Sequence, residues 1–360
     1  MEWHPASLFR TDTVPANPFA ILVLNQPINE RAFDAVRRHA CYTLLADGGA
    51  NRYYDLAQSR SAATTDVLLL LLTSLSLMYI HISNFFLKHL QLPSCILGDL
   101  DSIQPHVRAH YAAHHVPILH DSDQYSTDFQ KCTRFLRAHA HAIMERENPT
   151  LSDNHDLYMT THRRRRSSGH KKDSNNNNSP KRLDVVVLGG LGGRVDQGFS
   201  QIHHLYVAHA QRHEISSTGN SAEEEEEEEQ QQQQEDIFGE LYLLSEESLS
   251  FILSPGKHTI HTPLTHRLDL PEQEQEQGQG QENILAENVG VIPLAGPTFI
   301  SLTGFEWDVT HWKTEIGGQL STSNHIRAPQ LQIDVDTTVG RPVLFTVELA
   351  AGFKKGPVSR

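Results

Sequence analysis

Cysteine is scarce in this chain, with three residues in 360, Cys41, Cys95 and Cys132, far apart and odd in number. They supply neither a disulfide framework nor paired metal-ligand spacing, and such usage suits a reducing compartment. A basic excess is also missing. The formal charge is −14, half of it from the run Glu223–Glu229, so no general attraction to nucleic acid is expected. MEWHPASLFR lacks a basic stretch followed by an apolar one, so secretion is not expected and the cytoplasm is the expected location. No HExxH helix, nucleophile elbow or Gly-Lys-Ser/Thr loop occurs, which removes zinc proteases, serine hydrolases and P-loop enzymes from consideration.

The apolar fraction is low, at 38%, and the deficit is local. Residues 147–182 hold an Arg run and an Asn run, 214–236 are Glu/Gln-rich, and 271–282 repeat Glu and Gln. None can bury enough apolar surface to offset the entropy of ordering, so all three are expected as disordered loops. The Arg163–Arg166 run reads as a solvated basic loop, since no aromatic residue interleaves with it. The one long uncharged stretch, Val67–Leu87, has the length of a membrane span. A single crossing there would separate motifs that must meet in one site. Residues 62–90 are therefore expected to be an insertion, either authentic protein or a translated intron, with no membrane as a partner.

What is present is a repeated strand–helix pattern. FAILVL (19–24), YTLLA (42–46), Ser94–Leu97, Val116–Leu119 and DVVVL (184–188) read as apolar strands, each followed by helical periodicity. Ser126 or Thr127 is suited to cap the helix that carries Phe129, Cys132 and Leu136. Continuous apolar strands argue a parallel sheet covered on both faces. After about residue 237 helical periodicity stops. LYLLSEESLSFIL reads as a hairpin, and VGVIPLA, TFISL, LQIDVD and PVLFTVEL as further strands. The expected fold class is α/β: an N-terminal parallel-sheet, Rossmann-like domain (17–213, with inserts at 62–90 and 147–182), a linker (214–236), and a C-terminal all-β sandwich (237–360, with a loop at 271–282).

Position then singles out the chemistry. Asp47, Asp99, Asp101, Asp123, Asp128 and Asp196 each follow an apolar strand closely, and loops after the strand ends of a parallel sheet share one edge. Clustered carboxylates repel and take up protons unless a cation holds them. Oxygen ligands with room for water and phosphate suit Mg²⁺. The competing reading of Asp99 and Asp101 is a turn and a helix cap. Gly48-Gly49 and GGLGG (189–193) can bring backbone N–H groups to anionic oxygens. The latter is not a dinucleotide fingerprint, because the third glycine position falls on Val195. Arg194 and Lys131 supply cations near transferred phosphate, although Lys131 reads equally well as an i,i+3 surface partner of Asp128.

Eight stretches in order resemble the thiamine pyrophosphokinase family, in its fungal form: ADGGANRYYD (46–55), ILGDLDSI (96–103), DQYSTDFQK (123–131), LGGLGGRVDQ (188–197), SPGKH (254–258), PLAGPT (293–298), GFEWDV (304–309) and GGQLSTSN (317–324). The resemblance implies diphosphate transfer from ATP to thiamine, and a homodimer with the active site completed between subunits. It implies Asp99, Asp101 and Asp128 as holders of Mg²⁺ and the ATP phosphates. Asp47, Asn51, Gln124, Lys131 and Arg194 would line the nucleotide side, with Asp196 beside them. Trp307, Ser321, Ser323 and Asn324 would face thiamine, whose cationic ring an indole can receive. Two rival classes are a nicotinamide oxidoreductase, on the strength of the sheet and glycine turn, and a thiamine-binding protein without catalysis.

Overall fold

The computed structural model describes residues 1–71, 92–145, 181–217, 237–263, 265–267 and 282–354. The long uncharged stretch from residue 72 and nearly all of the three polar tracts lie outside the described residues. The elements in chain order are β1 (Glu2–Trp3), β2 (Phe19–Val23), α1 (Glu30–Val36), β3 (Ala40–Ala46), α2 (Gly49–Leu71), β4 (Cys95–Gly98), α3 (Pro105–Ala113), β5 (Ile118–His120), α4 (Asp128–Ala138), α5 (Ala140–Met144), β6 (Leu183–Leu188) and α6 (Val195–Ser217). Strands then dominate: β7 (Phe238–Leu244), β8 (Ser248–Leu253), β9 (Gly256–His261), β10 (Thr265–His266), β11 (Leu285–Ile292), β12 (Thr298–Thr303), β13 (Val309–Thr314), β14 (Ser321–His325), β15 (Gln330–Val335) and β16 (Val343–Leu349).

An 11-stranded sheet runs in the order β10-β11-β16-β8-β7-β6-β2-β3-β4-β5, with β14 paired to β11. From β7 to β5 every pairing is parallel, and from β7 through β8 and β16 to β11 it is antiparallel. The apolar runs are explained by two-sided burial. In β2, Phe19, Ile21 and Val23 pack with Phe33, Tyr53 and Val107 of the helices on one face. Ala20 and Leu22 pack with Phe129, Phe135 and Leu205 on the other. The second sheet, β1-β9-β15-β12-β13, turns Ile260, Ile300, Leu302, Leu331 and Ile333 into the same core as Phe251, Val289 and Phe345 of the first.

The chain is thus of mixed α/β class with two differently built halves. The structure departs from the sequence expectation in several places: α2 runs on to Leu71 and α6 to Ser217, so 62–71 and 214–217, expected as insert and disordered linker, are helical. Phe238–Leu244, read as part of an all-β unit, pairs in parallel with β6 as well as antiparallel with β8, so one sheet continues through both halves. Its apolar character on both faces fits that central position. The first residues, assigned to neither half, form β1 beside β9, with Trp3 buried. Strands β9, β13 and β14, in segments rich in Gly, Thr and Ser, carried no apolar run to reveal them. Among the described residues no helix is long and apolar enough to cross a membrane.

Candidate active site

Parallel pairing sets the loops after β3, β4, β5 and β6 along one rim. Asp47 follows β3 directly, with φ of +35°, a backbone region side-chain-bearing residues rarely adopt. Its carboxylate is buried and faces the next loop: Oδ2 accepts from Ser102 N at 3.0 Å and Oδ1 from Ile103 N at 3.0 Å. One turn into α2, Asn51 does the same work. Its Nδ2 donates to Ser102 O at 2.9 Å, and its Oδ1 accepts from Gln104 N at 2.9 Å. Four side-chain hydrogen bonds therefore clamp residues 102–104, just beyond Asp99 and Asp101. Leu100 between them sits at φ +63°, so the turn is strained and needs that anchoring.

The carboxylates converge as a result. One oxygen each of Asp47, Asp99 and Asp101 lie within 4.8 Å of one another. Asp128 opens α4 beneath a capping box, in which Thr127 Oγ1 accepts from Gln130 N and the Gln130 side chain accepts from Thr127 N. Lys131, one turn along, is fully buried, with Nζ 3.1 Å from Asp99 Oδ2 and 3.7 Å from Asp128 Oδ1. It is the partner of Asp128 and a cation inside the site at once. Gly98 makes the convergence possible. A Cβ there would stand 2.7 Å from Asp47 Cβ and 3.0 Å from Asp128 Oδ1.

The electrostatics follow from burial and like charge. Burial, then the nearby Asp128 and Asp99 charges, push Asp47 up to about 6, against the pull of its two amide donors. Asp128 is also raised, by burial first and then by Asp99. Burial opposes ionisation of Asp99 too, but the Lys131 ammonium and the Asp101 amide hold it below the usual carboxylate range. Asp128 Oδ1 is buried with no hydrogen-bond partner. A set of hard oxygens with one such orphan, crowded enough to raise two carboxyls, fits Mg²⁺.

The remaining residues stand apart from this cluster. Asp123 bonds to the Tyr125 amide and pairs with Arg134 at 3.2 Å, and Gln124 beside it is exposed. Arg194 and Asp196 pair with each other on the surface. The Gly189–Gly193 loop carries them outward, and only glycine fits its first position. Gly189 has φ of +67°, and a Cβ there would meet Gln26 O and Leu24 O at 2.7 Å. In the second half the Trp307 side chain is 56% exposed, whereas Asn324 and Ser321 are buried and Ser323 is exposed. Sequence reasoning missed the clamp formed by Asp47 and Asn51, because it joins loops 50 residues apart and leaves no local signature.

A parallel sheet with glycine turns and a group of carboxylates at its strand ends, continued by an antiparallel half, fits an enzyme that transfers a phosphate-containing group from a nucleotide. The family models for "Thiamin pyrophosphokinase, catalytic domain" and "Thiamin pyrophosphokinase, vitamin B1 binding domain" match residues 33–216 and 257–341. The chain belongs to the thiamin pyrophosphokinase family. It is 24% identical over 337 residues to thiamine pyrophosphokinase 2 of Arabidopsis thaliana, covering 93% of this chain and 89% of that one. It is 24% identical over 315 residues to thiamine pyrophosphokinase of Saccharomyces cerevisiae, covering 84% and 78%. The fold is similar to that of the Candida albicans thiamin pyrophosphokinase structure, with a TM-score of 0.62 at 21% identity over 97% of this chain and 92% of that one.

Proposed function

We propose that this enzyme, an ATP-dependent thiamine pyrophosphokinase, carries out its reaction at the aspartate rim. The convergence of Asp47, Asp99 and Asp101 within 4.8 Å, with Asp128 Oδ1 buried and accepting no hydrogen bond, carries this reading. The thiamine hydroxyl attacks the β-phosphorus of ATP, the bond to the α-phosphate oxygen breaks, and AMP leaves with thiamine diphosphate as the other product. Mg²⁺ held by Asp99, Asp101 and Asp128 would neutralise charge on the ATP phosphates. Asp47 and Asn51 keep the Asp99–Asp101 turn in register, and Lys131 offsets the repulsion between Asp99 and Asp128. Lys131 bonds to Asp99 at 3.1 Å and holds it ionised, whereas burial raises Asp128, so of the two Asp128 is the better suited to accept the hydroxyl proton. Gln124, Arg194 and Asp196 would complete the nucleotide side, with Arg194 leaving its surface pairing with Asp196 for developing phosphate charge. Trp307, with Ser321, Ser323 and Asn324 around it, receives thiamine.

The parallel half is read as a Rossmann-like catalytic domain (17–213) and the antiparallel layers as a sandwich (237–360). A homodimer is supported by apolar side chains left exposed at the rim, Tyr125, Val195 and Phe199, and by exposed Trp307, Ile316 and Leu320 in the second half. The three free cysteines suit a cytoplasmic setting. The test is thiamine-dependent AMP release. Asp99→Asn and Asp101→Asn are expected to lose at least about 100-fold in turnover, the scale of removing one preorganised charge-stabilising group, with an unchanged thermal midpoint. Near-normal AMP release by both variants would overturn the assignment of the rim.

A further inference from the structure

The resemblance puts Asn324 in contact with substrate, but its amide is already occupied. Asn324 is 3% exposed. Its Oδ1 accepts from Trp307 N at 3.1 Å and from His325 N at 2.9 Å, and its Nδ2 donates to Trp307 O at 3.0 Å. The side chain thus grips both main-chain groups of Trp307, in the turn between β12 and β13. The preceding Ser323 takes φ of +54°, a strained conformation that delivers the amide to that place.

The exposed indole has a second neighbour. The His325 ring lies 5.2 Å from it, centroid to centroid, inclined at 45°. Arg327 sets that ring: a guanidinium nitrogen lies 3.0 Å from His325 Nδ1, while others reach Glu306 at 2.5 Å and Glu287 at 2.6 Å. A guanidinium can only donate, so His325 Nδ1 is the acceptor of this contact, which fixes the ring in place.

We propose that Asn324 and His325 are positioning residues, which hold the Trp307 indole in the orientation that receives the cationic ring of thiamine. The inference rests on the reading that Trp307 faces thiamine. The experiment measures kcat and KM for thiamine in Trp307→Leu, Asn324→Ala, Asn324→Asp, His325→Ala and His325→Phe, together with quenching of tryptophan emission by thiamine. Loss of a well-placed indole–cation contact is worth up to about tenfold. Trp307→Leu, Asn324→Ala and His325→Ala are expected to raise KM by about that factor, with kcat held within about twofold. His325→Phe keeps the ring and should recover much of the affinity and the quenching, whereas Asn324→Asp keeps the two acceptor bonds but sets an oxygen against Trp307 O and should bind thiamine as weakly as Asn324→Ala. A raised KM in Trp307→Leu with wild-type KM in Asn324→Ala and His325→Ala would overturn the positioning role alone. An unchanged KM in Trp307→Leu would remove the reading of Trp307 and the inference with it. Should Asn324→Ala fail to fold, the His325 pair still decides the question.

Discussion

Lys131 and Asp184 are both ionisable and both buried, yet their surroundings give them opposite fates. Lys131 has two carboxylates within 4 Å, and although burial opposes its charge, Asp99 and Asp128 raise it above its ordinary value. Its i,i+3 spacing from Asp128 was visible in the sequence. Its second partner, Asp99, was not, because that contact exists only once β4 and α4 are packed. Asp184 has no cation in direct contact among the described residues. It takes hydrogen bonds from the Glu240 amide at 2.8 Å and from Asn17, while Arg212 pairs with Glu240 instead. Burial therefore dominates and pushes Asp184 from 3.8 up to about 7. Between those two values the folded protein binds a proton that the unfolded chain has already released, so this group's contribution to stability falls as pH rises through that window. Asp184→Asn can still accept from the Glu240 amide and has no proton to lose. Relative to that variant, the wild-type protein is expected to lose a few kcal/mol between about pH 4 and 7. Urea unfolding of both proteins at pH 5 and pH 8 measures it, and a stability difference independent of pH would contradict it.

At the scale of elements, the strands were legible where burial is two-sided, because β2, β3 and β6 carry unbroken apolar runs that nothing but a covered parallel strand explains. The helix at Asp128 was legible from its cap, since Thr127 and Gln130 form a local motif. The clamp from α2 onto the loop after β4 was illegible for the opposite reason. Asp47 and Asn51 read as ligand residues, as polar groups at a strand end do, whereas both spend their side chains on backbone groups of residues 102–104. That makes the carboxylate geometry a property of two loops together. Asn51→Leu removes two of the four bonds and leaves the Gln104 amide without its acceptor, a cost of about 1–3 kcal/mol. The Asp99–Asp101 turn would then relax, although neither aspartate is changed. Turnover is expected to fall with a raised Mg²⁺ requirement, while the thiamine KM stays the same. Titrating AMP release against Mg²⁺ checks it, and a wild-type titration curve would show that Asp47 alone holds the turn.

For the whole molecule the decisive feature is that β7 joins the two halves. The expected linker, 214–236, begins inside α6, which runs to Ser217, and ends just before β7, so composition alone suggests two bodies on a tether. Pairing is a long-range property that composition does not record. β7 lies between β6, in parallel, and β8, in antiparallel, and a single apolar cluster takes in Phe33 and Ile96 of the first half together with Phe251, Phe345 and Ile333 of the second. The N-terminus adds to the coupling. Trp3, ahead of every catalytic motif, stacks on Phe251 at 4.6 Å, meets Tyr242 edge-on at 6.5 Å, and donates from its indole to His258 Nδ1 at 3.0 Å. With no break in the sheet at which the halves can part, they are expected to unfold together. Heating should give coincident transitions by far-UV circular dichroism and by loss of AMP-forming activity. Trp3→Ala, which empties a large site in the second half's core at a cost of about 3–5 kcal/mol, should lower both midpoints by the same amount. Were the second half to melt first in that variant, with the α/β half remaining folded, the shared sheet would be a contact between independent domains rather than the spine of one cooperative unit.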